Sequence, residues 1–209
     1  MDLYYKLSSP ACRAVLMTAE AINVSLNLKC VDFYKKSKCA LELLRINPQF
    51  NIPTFVDGDL ILTESRAIMI YLVERYASKD SLYPKCILKR AKVNQLLSFD
   101  LVFLYQQYKE YSLMKINGKH HNESLELLTE GLKSLDSLLV NKSYSTGEDL
   151  TLADLSLHAT ISSFEPSGIN IGNMINLAKW CNIMDKEAPG NYINKKGNNE
   201  LVAFFKSFT

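Results

Sequence analysis

A small α/β unit followed by an all-helical segment is the fold class this sequence predicts, and three observations predict it. Through about residue 77, apolar runs of strand length alternate with runs of helical spacing. Asp57-Gly58-Asp59 sits between two short apolar stretches and reads as a hairpin turn. Beyond Ser81-Leu82-Tyr83-Pro84, almost every periodic stretch is helical. The expected order in the first part is βαβαββα with the last two strands antiparallel. The expected boundaries are 1–77 for the α/β unit, 78–86 for a linker and 87–209 for the helical unit.

Leu3-Tyr4-Tyr5 is a short strand, and Lys6-Leu7-Ser8-Ser9 turns the chain into a helix from about Pro10 to Ile22. Ser9 is a good N-cap, and Pro10 suits the first helical position, where no backbone N–H is needed. Val15, Leu16, Ala19 and Ile22 give this helix its apolar face. Leu26–Val31 alternates as a strand does. Ala40–Ile46 is a short helix stopped by Asn47-Pro48. Thr54–Val56 and Leu60–Leu62 flank the hairpin turn, and Ser65 is expected to cap a helix reaching Tyr76. In the second part a single helix is expected from Ile87 to about Met114. Further helices are expected over Glu123–Leu139, from Thr151, over Asn176–Lys186 and over Glu200–Phe208. The helix from Thr151 carries no charge between Asp154 and Glu165, so it is expected to be buried, with Thr151 and Asp154 forming a capping box.

The bulk numbers narrow the function classes. With 209 residues, 47% hydrophobic and 22% charged, the chain has the composition of a globular protein with a real core. A formal net charge of +2 and the lack of a Lys/Arg block or RNA-binding aromatic motif argue against a nucleic-acid partner or an acidic membrane. No apolar run approaches the ~18 residues of a membrane span. Five scattered cysteines (Cys12, Cys30, Cys39, Cys86, Cys181) are odd in number and lack metal-ligand spacing. With no signal-peptide pattern at the start, the expected compartment is the reducing cytoplasm. The N-x-S sequons at Asn23, Asn122 and Asn141 are then chance occurrences.

Candidate chemistry begins at Ser9. A helix start leaves four backbone N–H groups pointing outward with the positive end of the dipole behind them, a setting that favours an anion such as a small-molecule thiolate. The plainer reading is that Ser9 only caps the helix. Glu64 and Ser65 stand at a second helix start and together suit a ligand carrying an ammonium and a carboxylate; helix capping with a surface ion pair is the alternative. Cys12, three residues after Ser9, has the spacing of a redox pair with serine in the first place, although a buried packing role fits it better. Tyr105, Tyr108 and Tyr111 recur at three-residue spacing on the long helix, and with Phe204 and Phe208 they are candidates for an apolar pocket as well as for core. His120-His121 and His158 lack metal-ligand company, so no metal is expected.

Four motifs in register carry a resemblance: Ser9 after the first strand; Asn47-Pro48-Gln49-Phe50-Asn51-Ile52-Pro53-Thr54; Glu64-Ser65-Arg66-Ala67-Ile68; and Gly147-Glu148-Asp149-Leu150-Thr151-Leu152-Ala153-Asp154. In this order the chain resembles the cytosolic glutathione transferases. Met1-Asp2-Leu3-Tyr4-Tyr5 with Ser9, Cys12 and Arg13, together with Ser81-Leu82-Tyr83-Pro84-Lys85, looks most like the insect delta class.

The resemblance implies a thioredoxin-like N-terminal domain that binds glutathione, a helical domain supplying a hydrophobic substrate pocket, and a homodimer. It implies conjugation of reduced glutathione to small hydrophobic electrophiles, a detoxification role, with peroxide reduction as a possible side activity. Ser9 would be the catalytic hydroxyl. Ile52-Pro53 would be a cis-proline turn at which Ile52 pairs with the cysteinyl portion, while Asn51, Glu64, Ser65 and Arg66 complete the peptide site. Lys38 and Phe50 depart from the histidines usual in this class at the glycyl end. Phe50 has no hydrogen-bonding side chain, and weakened glutathione binding is expected from it. Two rival functions stand beside it: a non-catalytic carrier of apolar ligands, supported mainly by Phe50, and a thiol–disulfide oxidoreductase acting through Cys12.

Overall fold

The computed structural model describes residues 1–33, 37–118, 122–172 and 174–207. The first part runs β1 (Asp2–Tyr5), α1 (Pro10–Ala21), β2 (Asn27–Cys30), α2 (Lys38–Ile46), β3 (Thr54–Asp57), β4 (Leu60–Leu62) and α3 (Ser65–Tyr76). This is the expected βαβαββα order. The strands lie side by side as β2-β1-β3-β4, with β1 parallel to β2 and antiparallel to β3, and β3 antiparallel to β4. Leu3 faces Leu28 on one side and Phe55 on the other.

Both faces of this sheet are covered, because neighbouring residues on a strand point to opposite sides. Leu3 and Phe55 enter the main core with Val15, Ile68 and Leu72, whereas Tyr4 joins a smaller cluster with Val31, Ala40 and Leu43 beneath α2. Helix α1 is buried from Pro10 through Ala19 and packs against α3 on one side and the helical part on the other. That central place explains why its buried stretch is apolar nearly all round, with Arg13 its one charged residue and Thr18 bonded back to Ala14 O.

The second part contains α4 (Ile87–Phe99), a π-helical turn (Asp100–Tyr105), α5 (Gln106–Ile116), α6 (Asn122–Leu138), α7 (Leu152–Ile161), a 3-10 turn (Glu165–Ser167), α8 (Ile175–Glu187) and α9 (Asn191–Lys206). The single long helix expected from Ile87 is therefore interrupted by the π turn, a wider helical form concentrated at functional sites. No spacing signal distinguishes it, because side chains on both sides keep helical periodicity.

Helix α9 starts well before the expected Glu200. Its early residues, including Asn194, Gly197 and Asn198, are weak helix formers, so local propensity hides it. Tertiary bonds supply the difference: the Asn191 side chain meets His158 Nε2 at 3.0 Å and donates to Asp185 O at 2.6 Å, and Asn194 Nδ2 donates to Ser162 Oγ at 2.8 Å. Ser65 also differs from expectation. It is the first residue of α3, and the cap position is taken by Glu64.

Asp154 secures the start of α7. Fully buried, it accepts hydrogen bonds from Thr151 N (2.9 Å), Thr151 Oγ1 (2.9 Å), Ser145 N (2.6 Å) and Trp180 Nε1 (3.1 Å). The sequence motif thus reaches beyond one helix start to α8. Among the described residues, no helix is long and apolar enough to cross a membrane.

Candidate functional site

The candidate residues stand on the turn after β1, the loop before β3, the start of α3 and the long helical arm; β1 pairs with β3 through Tyr4 and Thr54, and Arg66 at the start of α3 pairs with Asp100 on the arm. Ser9 has extended backbone angles (φ −81°, ψ 120°), and its N–H closes the turn on Lys6 O at 3.1 Å. Its Oγ accepts from Cys12 N at 3.4 Å. A serine hydroxyl has two acceptor lone pairs and one proton, so this capping bond leaves the proton free to donate elsewhere. Capping the helix and stabilising an anion are compatible tasks for Ser9.

Cys12 is fully buried, and burial is the main cause that pushes its thiol up to about 11. It therefore stays protonated at neutrality and behaves as a small core residue, without the exposed thiolate a redox nucleophile needs.

The loop before β3 is built by Asn47. Its Nδ2 donates to Asn51 Oδ1 (2.8 Å) and Thr54 Oγ1 (2.9 Å), its Oδ1 accepts from Gln49 N (3.0 Å), and its carbonyl accepts from Phe50 N (2.9 Å). The Asn51 side chain is thus engaged inside the loop. The Ile52–Pro53 bond is cis, and Ile52 lies two residues ahead of the β3 ladder. Phe50 adopts φ 49° and sets its ring edge-on to Phe33, with centroids 5.3 Å apart. Lys38 is exposed at the first position of α2. Phe33 was not anticipated; its partner Phe50 was, but nothing local in the sequence joins the two.

At the second helix start, Glu64 is exposed with φ 65°, a conformation costly for a residue with a Cβ and typical of functional positions. Ser65 is buried, and its Oγ accepts from Arg66 Nη1 at 3.1 Å. The Arg66 guanidinium also pairs with Asp100 at 2.5 Å and lies 4.9 Å from the centre of the Tyr105 ring. Asp100 is fully buried and also accepts from Ser156 Oγ. Arg66 thus spends its charge on the π turn and supports Ser65 from behind. The sequence offered one signal for Asp100: a lone carboxylate between Phe99 and the apolar run that follows.

Among the expected pocket residues, Tyr105 is half-buried beside Arg66, and burial pushes its phenol up to about 12. The Arg66 charge acts on it in the opposite direction. Tyr108 is buried, its ring against Phe164 and its hydroxyl 3.0 Å from Ser167 Oγ. Tyr111 is half-buried and donates to Ser167 O at 3.4 Å. Phe204 is half-buried beside Phe205. Phe208 and His120-His121 lie outside the described residues. His158 is buried on α7 against Asn191. Among the described residues, no group of three or more His, Cys, Asp or Glu is arranged to hold a metal ion.

The comparisons with known proteins agree with this geometry. Residues 1–74 match the family model described as the N-terminal domain of glutathione S-transferase. Over the whole chain, the structure is similar to a delta-class glutathione transferase of Nilaparvata lugens, with 40% identity, a TM-score of 0.93, and 100% of this chain and 99% of that one covered. It is also similar to a glutathione transferase of Bombyx mori, with 36% identity, a TM-score of 0.90, and 97% and 96% covered. A glutathione transferase homolog of Drosophila mojavensis, solved with bound glutathione, shares 31% identity at a TM-score of 0.89, with 99% and 96% covered.

Proposed function

The chain belongs to the glutathione transferase family, with delta-class enzymes among its near relatives, and we propose that Ser9 is the residue that ionises the bound thiol. The protein is a glutathione transferase. Conjugation requires a thiolate, whereas a free thiol of pKa near ~8.5 is mostly protonated at pH 7. A hydrogen bond donated by Ser9 Oγ favours the ionised sulfur, and the N-terminus of α1 adds a field of the same sign. Each pKa unit removed corresponds to about 1.4 kcal/mol of preference for the thiolate. The thiolate then attacks an electrophilic carbon; in an aryl chloride the sulfur–carbon bond forms, the carbon–chlorine bond breaks and chloride departs. No metal enters these steps.

The observation that carries this reading is the Ser9 hydroxyl at the start of α1, just after β1, whose Tyr4 pairs with Thr54 directly behind the cis Ile52–Pro53 bond. Around it, we assign the cysteinyl portion of glutathione to Ile52, and its γ-glutamyl end to Glu64 and Ser65 with Arg66 behind them. The segment 1–77 is read as the thioredoxin-like glutathione-binding unit, 78–86 as linker, and 87–209 as the helical unit whose Tyr105 and Tyr111 frame a site for small hydrophobic electrophiles. A homodimer working in the cytoplasm fits the family. The test is conjugation of a chloronitrobenzene acceptor by the parent and by Ser9→Ala. Turnover that collapses in the variant, with the fold intact, supports the reading; equal turnover removes it.

The Phe33–Phe50 contact favours a second reading, a carrier of apolar ligands with weak glutathione binding. Loss of one charge-assisted hydrogen bond at the glycyl end is worth about 1.5–3 kcal/mol. Phe50→His is expected to tighten glutathione binding about tenfold or more on that basis. Equal affinity in a titration of both proteins rules out the weakening.

A further inference from the structure

Arg13 carries a charge into the middle of the molecule. It is fully buried, and among the described residues no carboxylate forms an ion pair with it. Its five N–H donors instead meet five neutral acceptors. Nε donates to Asn194 Oδ1 at 2.7 Å on α9, and Nη2 donates to Ala159 O at 3.1 Å and Ser163 Oγ at 2.5 Å at the end of α7. Nη1 donates to Leu7 O and Ser8 O, both at 3.1 Å, and these two carbonyls belong to the turn that delivers Ser9. An arginine has only five donors, so the guanidinium is saturated.

Helix α9 is shaped to close on this arrangement. A Cβ at Gly197 would stand 2.3 Å from Arg13 Cδ and 2.4 Å from Leu7 O, so glycine is what lets α9 reach both. The titratable side chains that share a field with Arg13 are Cys12 on its own helix, Tyr105 and Tyr108 on the long arm, Glu200 on α9 and His158 on α7. Burial pulls the guanidinium down to about 10, which leaves it charged at neutrality. Removing such a cation from water costs several kcal/mol, and an apolar side chain of similar length would fill the space more cheaply. The arrangement ties α7 and α9 to two carbonyls, Leu7 O and Ser8 O, that lie just before the hydroxyl at the cap of α1.

We propose that Arg13 is a positioning residue for the reaction: it fixes the Leu7–Ser8 turn against α7 and α9, so that the Ser9 hydroxyl is aimed at the sulfur, and its charge, held by neutral hydrogen-bond acceptors, favours the ionised thiol. The proposal rests on the reading of Ser9 as the thiol's hydrogen-bond donor. It makes the helical part of the chain a contributor to thiol ionisation in addition to forming the electrophile pocket.

Two variants test it, one for each half. Asn194→Asp keeps shape and places a carboxylate where Arg13 Nε now meets an amide oxygen; the Ser162 hydroxyl can turn to donate to it. Arg13→Lys keeps the charge but loses the planar fork that holds two carbonyls at once. The pKa of glutathione bound to each protein is read from thiolate absorbance and from the pH profile of kcat/KM, with urea unfolding followed in parallel. Both variants are expected to unfold cooperatively and to raise the bound-thiol pKa by about half a unit to one unit. Arg13→Lys is also expected to lower kcat roughly ten- to a hundredfold, through misplacement of the hydroxyl. A bound-thiol pKa equal to that of the parent in either variant overturns the proposal. A parent protein that binds glutathione without ionising it would instead overturn the Ser9 reading, and this proposal with it.

Discussion

Arg66 Nη2 and Asp100 Oδ2 lie 2.5 Å apart and join the first turn of α3 to the π-helical turn of the long arm. The aspartate is fully buried, so its charge depends on this partner and on the Ser156 hydroxyl. Arg66→Met leaves that charge uncompensated and is expected to cost about 3–5 kcal/mol of stability. Arg66→Met with Asp100→Leu removes both charges and is expected to recover at least half of the loss. Urea unfolding of the two single variants and the double variant measures the coupling. Additive losses, with no recovery in the double variant, are incompatible with a paired buried charge.

Asp154 offers a second, independent stability test at the start of α7. Asp154→Ala strands the Ser145 and Thr151 N–H groups and the Trp180 ring N–H in a dry interior, each worth about 1–3 kcal/mol when unpaired. The expected result is a loss of at least ~3 kcal/mol, or no folded protein at 37 °C. Asp154→Asn, which keeps one acceptor oxygen, is expected to lose less. Thermal unfolding decides between them, and equal stability of Asp154→Ala and the parent contradicts the cap's assigned role.

Much of this architecture was legible in the residues. Period-two and period-3.6 patterns are local, so β1, α1 and the β3–β4 hairpin emerge from short windows around Leu3, Val15 and Gly58. The capping box at Thr151 and Asp154 is local too, contained within four residues. What escaped was tertiary in origin. Helix α9 holds its weak early residues through Asn191 and Asn194, whose partners His158, Ser162 and Arg13 lie more than thirty positions away. The π turn keeps the side-chain spacing of an ordinary helix, so nothing in Asp100–Tyr105 announces it. Arg13 was visible as a charge among apolar residues, but its acceptors on α7 and α9 are more than a hundred residues distant. The Phe33–Phe50 contact joins two loops, and neither ring predicts the other.

Cys12 provides a direct test of the redox alternative. A thiol buried completely, whose pKa burial has pushed up to about 11, is expected to resist alkylation at pH 8 in the folded protein and to react fully in denaturant. Exposed Cys30 and Cys86 serve as internal controls in the same peptide map. Rapid labelling of Cys12 in the native state would restore the thiol–disulfide reading.

His158 gives stability a pH dependence of defined sign. Burial, the leading cause, lowers its folded pKa below the unfolded value near ~6.5, so the unfolded chain binds more protons in the interval between them. Stability is therefore complete above about pH 6.5 and falls as pH drops through that interval toward the folded pKa. Carboxylates whose pKa values are lowered, such as Asp2 and Asp136, titrate below their ordinary value of 3.8. Urea midpoints of the parent and of His158→Gln are expected to converge in shape above the window and to diverge in slope within it. Parallel curves from pH 5 to 7.5 would remove His158 as the source.

The distance from Ser9 Oγ to the sulfur of bound glutathione, read from a crystal of the complex, addresses the chemistry most directly. A hydroxyl that sustains the thiolate is expected within hydrogen-bonding reach of the sulfur, about 3.0–3.5 Å, with the cysteinyl backbone paired to Ile52. A sulfur lying more than about 5 Å from Ser9, or turned toward another donor, would contradict it.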